Sequence, residues 1–576
     1  MIAAGSALAA VAPAAVAQEF TESKVDISFN RYHAPDEVDA KLHELAAAYP
    51  ELVELRSIGK SLEGRDMWMA IVNDASTGAH DAKPAMWIDG NIHANEIQGA
   101  EVVLYTLWYL CKEHGSNDDI TELLSNYSFY LLPTLNPDSR AYWFREASTP
   151  HFPRANQRPV DSDRDGFVDE DPPDDLDGDG SITQMWAQEP GGRWKRDEKD
   201  PRIFSRVPSD EKGDWTYLGQ EGIDNDGDGR INEDGPGGDD MNRNWPSDWK
   251  PNYVQYGAGP YPLSHPETNA VATWVYDHPN IAAFQTFHNS GGMMLRGPGA
   301  SYAEKAYPRA DQRVYDEIGN KGEKILPYYD YLVIYKDLYG VHGGESTWAG
   351  EGRGVISFTN EIWSVGKYFQ RDNTSPSDED MWLFRDRLQF GETFTPYTEF
   401  NHPKHGPVLI GGLNKWSSRS TPTFMLEEEC HRNFAFTMYH ADNMPVLEFT
   451  SVTAAPAGGN AVGGLWTVDV EIENSRAIPT RTGRQASRDI GTADLLTCTT
   501  AEGARVVASG ARQNRQDDTI SPERHEPARV LVEGGVGSRG TLLYRFYIEG
   551  VAGQTVNFSY ESERAKTITA QITMGE

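Results

Sequence analysis

Three cysteines in 576 residues, Cys111, Cys430 and Cys498, are too few and too scattered for a disulfide framework, and their spacing fits no zinc motif. The sequence leaves open one pair, such as Cys111 with Cys430. Basic residues are also scarce: 52 Lys and Arg stand against 87 Asp and Glu, a formal net charge of −35. So acidic a chain lacks the basic footprint that a phosphate backbone needs, which excludes a general nucleic-acid binder. No run reaches the ~20 continuous apolar residues of a membrane-spanning helix. What is present, 38% hydrophobic and 11% aromatic residues, is enough for sizeable cores and excludes wholesale disorder. The length points to two or three domains.

Residues 1–17 are Ala-rich and apolar and end in Ala15-Val16-Ala17, the small-residue pattern of a signal-peptide cleavage site, although the first basic residue is only Lys24. The expectation is an exported protein, extracellular or periplasmic. From residue 18 to 445, strand-like runs such as Ala85–Asp89 and Tyr127–Leu132 alternate with helical periodicity such as Ile97–Glu113. That alternation predicts an α/β domain with a largely covered sheet. Residues 446–576 show short alternating strands between Gly- and Asn-rich turns, which predicts an accessory β-sandwich. An insert at about 160–240 interrupts the first domain. Between Asp161 and Asp240 there are 25 acidic and 9 basic residues, a net of −16, with little apolar content for a core of its own.

His93-x-x-Glu96 lies between a predicted strand and a predicted helix. An imidazole and a carboxylate so spaced can reach one cation, and a catalytic zinc takes three such ligands plus an open position. Alone the pattern is common. Two further strand-like runs end in His288 and in Glu361, and α/β sheets form their ligand sites at that carboxyl edge. His288 is thus a candidate third ligand, and Glu361 a candidate base for a metal-bound water.

With these residues in view, the sequence resembles the zinc carboxypeptidases of the A/B/T type. The likeness runs through His93-x-x-Glu96, Asn136-Pro137-Asp138, Arg154-Ala155-Asn156, Asn242-Arg243-Asn244-Trp245, His288-Asn289-Ser290, Tyr339 before Gly343-Gly344, and Phe358-Thr359-Asn360-Glu361. The motifs occur in family order and cover about Tyr32 to Pro445. The resemblance implies an α/β fold with a mixed eight-stranded sheet flanked by helices. It also implies zinc on His93, Glu96 and His288, Glu361 as general base, and Arg154 polarising the scissile carbonyl. Asn242 and Arg243 would clamp the substrate's C-terminal carboxylate, and Tyr339 would close over it. The chemistry suits these roles: zinc activates water, and a guanidinium binds a carboxylate through two parallel hydrogen bonds. Arg158 competes with Arg154, and Tyr335 with Tyr339, while His342 and His265 read as structural. Side-chain preference would be set near Glu345 and Ser346, with Glu345 favouring basic C-terminal residues if it faces the pocket.

The insert contains Asp161-x-Asp163-x-Asp165-Gly166, Asp175-x-Asp177-x-Asp179-Gly180 and Asp224-x-Asp226-x-Asp228-Gly229. Alternating carboxylates before a turn glycine suit calcium. The twelfth-position glutamate of an EF-hand is replaced by Pro172, Trp186 and Gly235, so dockerin- or thrombospondin-type loops are the nearer likeness. The expectation is a structural calcium site. The leading function is a zinc metallocarboxypeptidase acting on peptides or proteins with a free C-terminus. The alternatives are a zinc amidohydrolase trimming peptidoglycan stem peptides and a catalytically dead, calcium-ordered adhesion protein.

Overall fold

The computed structural model describes residues 21–235, 237–370, 376–457, 464–516 and 518–575. The signal peptide read at 1–17 lies outside them. No helix among the described residues is long and apolar enough to cross a membrane.

Eight strands form the central sheet: β1 (Val53–Lys60), β2 (Asp66–Val72), β3 (Ala85–Gly90), β4 (Ser128–Leu132), β5 (Ile281–Asn289), β6 (Met293–Arg296), β7 (Asp330–Val333) and β8 (Ile356–Ile362). Their order across the sheet is β1-β2-β4-β3-β5-β8-β6-β7. The central four, β4-β3-β5-β8, run parallel, and antiparallel pairs flank them, so the sheet is mixed as expected. β3 and β5 are buried along their whole length, as parallel strands covered on both faces must be. On one face Met86, Ile88 and Phe287 pack with Val103 and Leu107 of helix Gln98–Glu113 and Phe436 of helix Thr423–Asp442. On the other, Trp87 and Phe284 pack with Val271 and Val275 of helix Pro266–Asp277 and Trp348 of helix Glu345–Arg353. Cys111 and Cys430 both sit in the first core as free, buried thiols, so the pairing left open by the sequence is not made.

The insert departs from its sequence reading. Four of its segments, Gln184–Gln188, Trp194–Arg196, Phe204–Arg206 and Trp215–Gln220, are strands of a six-stranded antiparallel sheet. The other two strands, Phe394–His402 and Gly406–Leu413, come from a distant hairpin. The small core joins Met185 to Val408 and Ile410, and Trp186 stacks on Phe204 with ring centroids 4.0 Å apart. The insert thus borrows the apolar surface that it lacks.

Residues 447–573 form a five-stranded and a four-stranded sheet. The strand Leu465–Asn474 alternates in burial, and Trp466, Val468, Val470 and Ile472 pack with Leu496, Phe558 and Tyr560 of the second sheet. One helical turn, Gly483–Arg488, capped by Thr482, was not foreseen. It docks on the first domain: Gly483 N and Arg484 N donate to Asp311 at 2.8 Å, and the Thr482 hydroxyl donates to Gly354 O at 2.8 Å.

Ile410 is fully buried in the shared insert core. Ile410→Ala is expected to cost about 2–5 kcal/mol locally, and limited proteolysis should then cut both the hairpin and residues 184–220 faster. Faster cleavage of the hairpin alone would contradict the shared core.

Candidate active site

Two glycines set the local geometry. A Cβ on Gly90 would lie 2.5 Å from the Gly99 carbonyl carbon, and one on Gly99 would lie 2.9 Å from Phe287 O. Without side chains there, helix Gln98–Glu113 starts hard against the ends of β3 and β5. The intervening loop is wrapped around Asn91, at a left-handed φ of 62°, whose Nδ2 donates to the carbonyls of His93 (2.8 Å) and Ala94 (3.1 Å). Asn136 caps helix Pro137–Arg145 and ties Ile92 O to Ala155 O through its amide, which accounts for its place in the motif series.

Three predicted ligands converge. His93 Nδ1 lies 3.1 Å and His288 Nδ1 2.8 Å from Glu96 Oε2, and the two ring nitrogens are 3.0 Å apart. All three residues are buried. Two imidazole nitrogens and a carboxylate oxygen facing one point are the donor set of a catalytic zinc, so the residues fit that ion. Burial alone would raise the Glu96 carboxyl, but His93 and His288 outweigh it and hold it well below the ordinary glutamate value.

A cavity of about 50 Å³ opens beside them, lined by Arg154, Asn242, Arg243, Tyr339 and Glu361 together with both histidines. Apart from Glu96, which lies behind the two histidines, the residues assigned to the reaction border one space. Glu361 on β8 pairs in register with His288 on β5. Its carboxyl is pushed up to about 7 by burial and then by Glu96, against the pull of His288, Arg154 and Arg419. Arg154 Nη1 lies 2.9 Å from Glu96 Oε1, whereas Arg158 turns away to Asp239. Tyr339 borders the cavity, whereas the Tyr335 hydroxyl turns to Glu304. His342 is paired with Asp248 at 2.7 Å, and His265 accompanies Asn156. Asn242 Oδ1 accepts from Glu345 N at 2.9 Å, and a Cβ on Gly343 would come within 2.3 Å of Arg243 O, so Gly343 lets the two segments meet.

One expectation is corrected. Glu345 does not face the cavity; it is fully buried at the start of its helix, beside Asp89 and Thr286. Burial and then the Asp89 charge push its carboxyl well above the usual range. Ser346 and Thr347 line the cavity instead. The nine aspartates proposed for calcium, Asp161, Asp163, Asp165, Asp175, Asp177, Asp179, Asp224, Asp226 and Asp228, lie in loops of the insert.

A family model described as zinc carboxypeptidase matches residues 38–200 and 213–384, more than half of the chain. The chain belongs to the zinc carboxypeptidase family. A second model, described only as a domain of unknown function, matches 446–573. Carboxypeptidase D of Homo sapiens is 36% identical over 111 residues, 19% of this chain and 8% of that protein. Carboxypeptidase B of Astacus astacus is 39% identical over 120 residues, 21% of this chain and 37% of that protein. The chain therefore matches only a minor part of the length of these relatives. Carboxypeptidase A2 of Mus musculus is 24% identical over 380 residues, 63% of this chain and 70% of that protein. Among solved structures, thrombin activatable fibrinolysis inhibitor is 18% identical, with a TM-score of 0.44 over 72% of this chain and 74% of that one.

Two further residues touch the site without being marked by any of the sequence motifs. Asp240 Oδ1 lies 3.0 Å from His93 Nε2, the ring nitrogen turned away from the other ligands, and Oδ2 accepts from Arg154 Nε at 3.2 Å. Burial would raise its carboxyl, but His93, Arg243 and Arg154 hold it well below the aspartate range. In the sequence it is one of the insert's many acids, and only its place two residues before Asn242 marks it. Arg419 Nη1 donates to Asn289 O at 2.8 Å and approaches Glu96 Oε1 at 3.3 Å. It lies beyond the residues that the family model matches, so no motif points to it.

A carboxylate on the far nitrogen of a metal-binding histidine fixes the tautomer and the ring. Asp240→Asn is expected to weaken zinc by roughly 10–100-fold, read by competition with a chelator. Unchanged affinity would contradict the orienting role.

Proposed function

We propose that this protein is a zinc metallocarboxypeptidase that releases the C-terminal residue of peptides and proteins with a free C-terminus. One observation carries the reading: the cluster of His93, Glu96 and His288 opens through its two histidines onto a small cavity that Glu361 and the Arg243 guanidinium also line. Zinc, when bound by His93, Glu96 and His288, supplies Lewis acidity and draws the pKa of water toward ~7. Glu361, which borders the cavity in register with His288, takes a proton from the attacking water and returns it to the departing amine. Arg154 stabilises the negative charge that develops on the carbonyl oxygen. Arg243 and Asn242 hold the terminal carboxylate, which selects the last peptide bond. Tyr339, 58% exposed at the rim, is free to fold over the substrate. Glu361 in register with His288 argues against a catalytically dead adhesion protein. Export rests on residues 1–17 alone.

The cavity wall also supports a substrate preference. Leu295, Ile334, Leu338 and Val341 line it with Ser346 and Thr359, and Glu345 is directed elsewhere. A terminal Lys or Arg would bury its charge there unpaired.

Peptides ending in Leu or Phe should therefore exceed those ending in Lys or Arg in kcat/KM by at least about tenfold; the reverse order in a C-terminal residue panel would refute the pocket assignment. Glu361→Gln should lower kcat by about 10²–10⁴-fold while zinc content stays at one per chain. Undiminished turnover would remove Glu361 from the mechanism.

A further inference from the structure

Read singly, the aspartate loops beginning at Asp161 and Asp224 each lack the closing glutamate of an EF-hand. In the structure they interlock. Asp171 of the first pairs with Asp234 of the other across an antiparallel bridge, Asp171 N donating to Asp234 O at 3.2 Å. Each loop also lends a carboxylate to the equivalent place in its partner. Asp234 Oδ1 accepts from Ser162 N at 2.8 Å, and Asp171 Oδ1 accepts from Asn225 N at 3.2 Å. The two loops are thus related by an approximate twofold rotation.

Exposed acidic clusters occur without any ion, and several of these residues are exposed. The deciding observation is inside the pair. Asp234 is 1% exposed, yet its Oδ2 has no hydrogen-bond partner. Both carboxylate oxygens of Glu170, and both of Glu233, are likewise shielded from water with no partner. Asp163, Glu170 and Asp234 each bring an oxygen within 4.8 Å of the others, and so do Asp163, Asp226, Asp228 and Glu233. Asp163 belongs to both groups. Carboxylates stripped of water and crowded together repel one another unless a cation lies between them. A donor set made only of oxygens, on glycine-permitted turns, suits calcium and not zinc. All three loops fold their first aspartate onto their own amides, but the loop at Asp175 has no carboxylate oxygen that is both shielded from water and without a partner, which makes it a control.

The pair also sits between two stretches of the catalytic machinery. Its first loop begins just after Arg154, and its second ends just before Asp239 and Asp240. Gly237 N donates to Asp169 Oδ1 at 3.2 Å, Asn156 N donates to Asp239 O at 3.0 Å, and Arg158 pairs with Asp239. We infer that the two loops form one carboxylate-bridged calcium pair, one ion per loop with Asp163 shared, which staples together the segments carrying Arg154 and Asp240–Arg243. Only its catalytic consequence rests on the zinc carboxypeptidase reading.

The test uses the full chain, depleted of calcium with its zinc content verified, and titrated with calcium chloride while native mass spectrometry counts bound ions. Asp163→Ala, and the milder Asp163→Asn, should remove two calcium ions or weaken both by at least tenfold, whereas Asp175→Ala should remove at most one. Calcium should also slow amide exchange in residues 154–160 and 237–243 of the wild type. Magnesium at equal concentration should not substitute. Loss of a single ion in both Asp163 variants, no calcium bound by the wild type, equal binding of magnesium or unchanged exchange would each overturn the inference. No readout involves turnover, so this failure and that of the peptidase reading are separable.

Discussion

The site depends on the parallel pairing of three neighbouring strands, β3, β5 and β8. β3 lies in register with β5 so that Gly90 faces Phe287, and β5 with β8 so that His288 faces Glu361. All three strands end at one edge of the sheet, where parallel topology leaves a crevice for ligands. His93 and Glu96 enter this crevice on the loop after β3, and His288 and Glu361 sit on the strands themselves. A slip of one residue would turn a strand side chain to the opposite face. The buried cores on both faces of the sheet hold the register, so packing far from the site positions its chemistry.

Charge is the second constraint. Glu96 and Asp240 are carboxylates taken out of water, a costly state unless opposite charges surround them. Arg154 bridges the two, Arg419 braces Glu96 from another loop, and the histidines lie between. The same low-dielectric setting raises Glu361. Removing one partner of these pairs would leave its neighbour buried and unpaired.

Much of this was legible in the sequence because covered parallel strands read as continuous apolar runs, and because residues at strand ends carry the motifs. His93-x-x-Glu96, His288 and Glu361 each follow such a run. What was not legible depends on partners remote in sequence. The hairpin 394–413 completes the insert sheet, a pairing with no local signature. Arg419 reaches Glu96 across the fold, and Glu345 turns under its helix to Asp89, so spacing to Gly343-Gly344 could not say which way it points. Asp240 was hidden in a crowd of like residues. The large negative charge likewise merges carboxylates in different settings: Asp240 against His93, Asp171 and Asp234 between paired loops, and others on the surface.

The claim that binds these observations is that the cavity recognises a free C-terminal carboxylate beside a zinc-assisted hydrolytic centre. Matched peptides ending in a free acid or an amide test it most directly, with release of the last residue followed by mass spectrometry. The account predicts efficient release from the acids and a loss of at least about a hundredfold in kcat/KM for the amides, as expected when a guanidinium loses its charged partner. Equal cleavage of both would contradict it, because Arg243 and Asn242 would then have no part in choosing the bond.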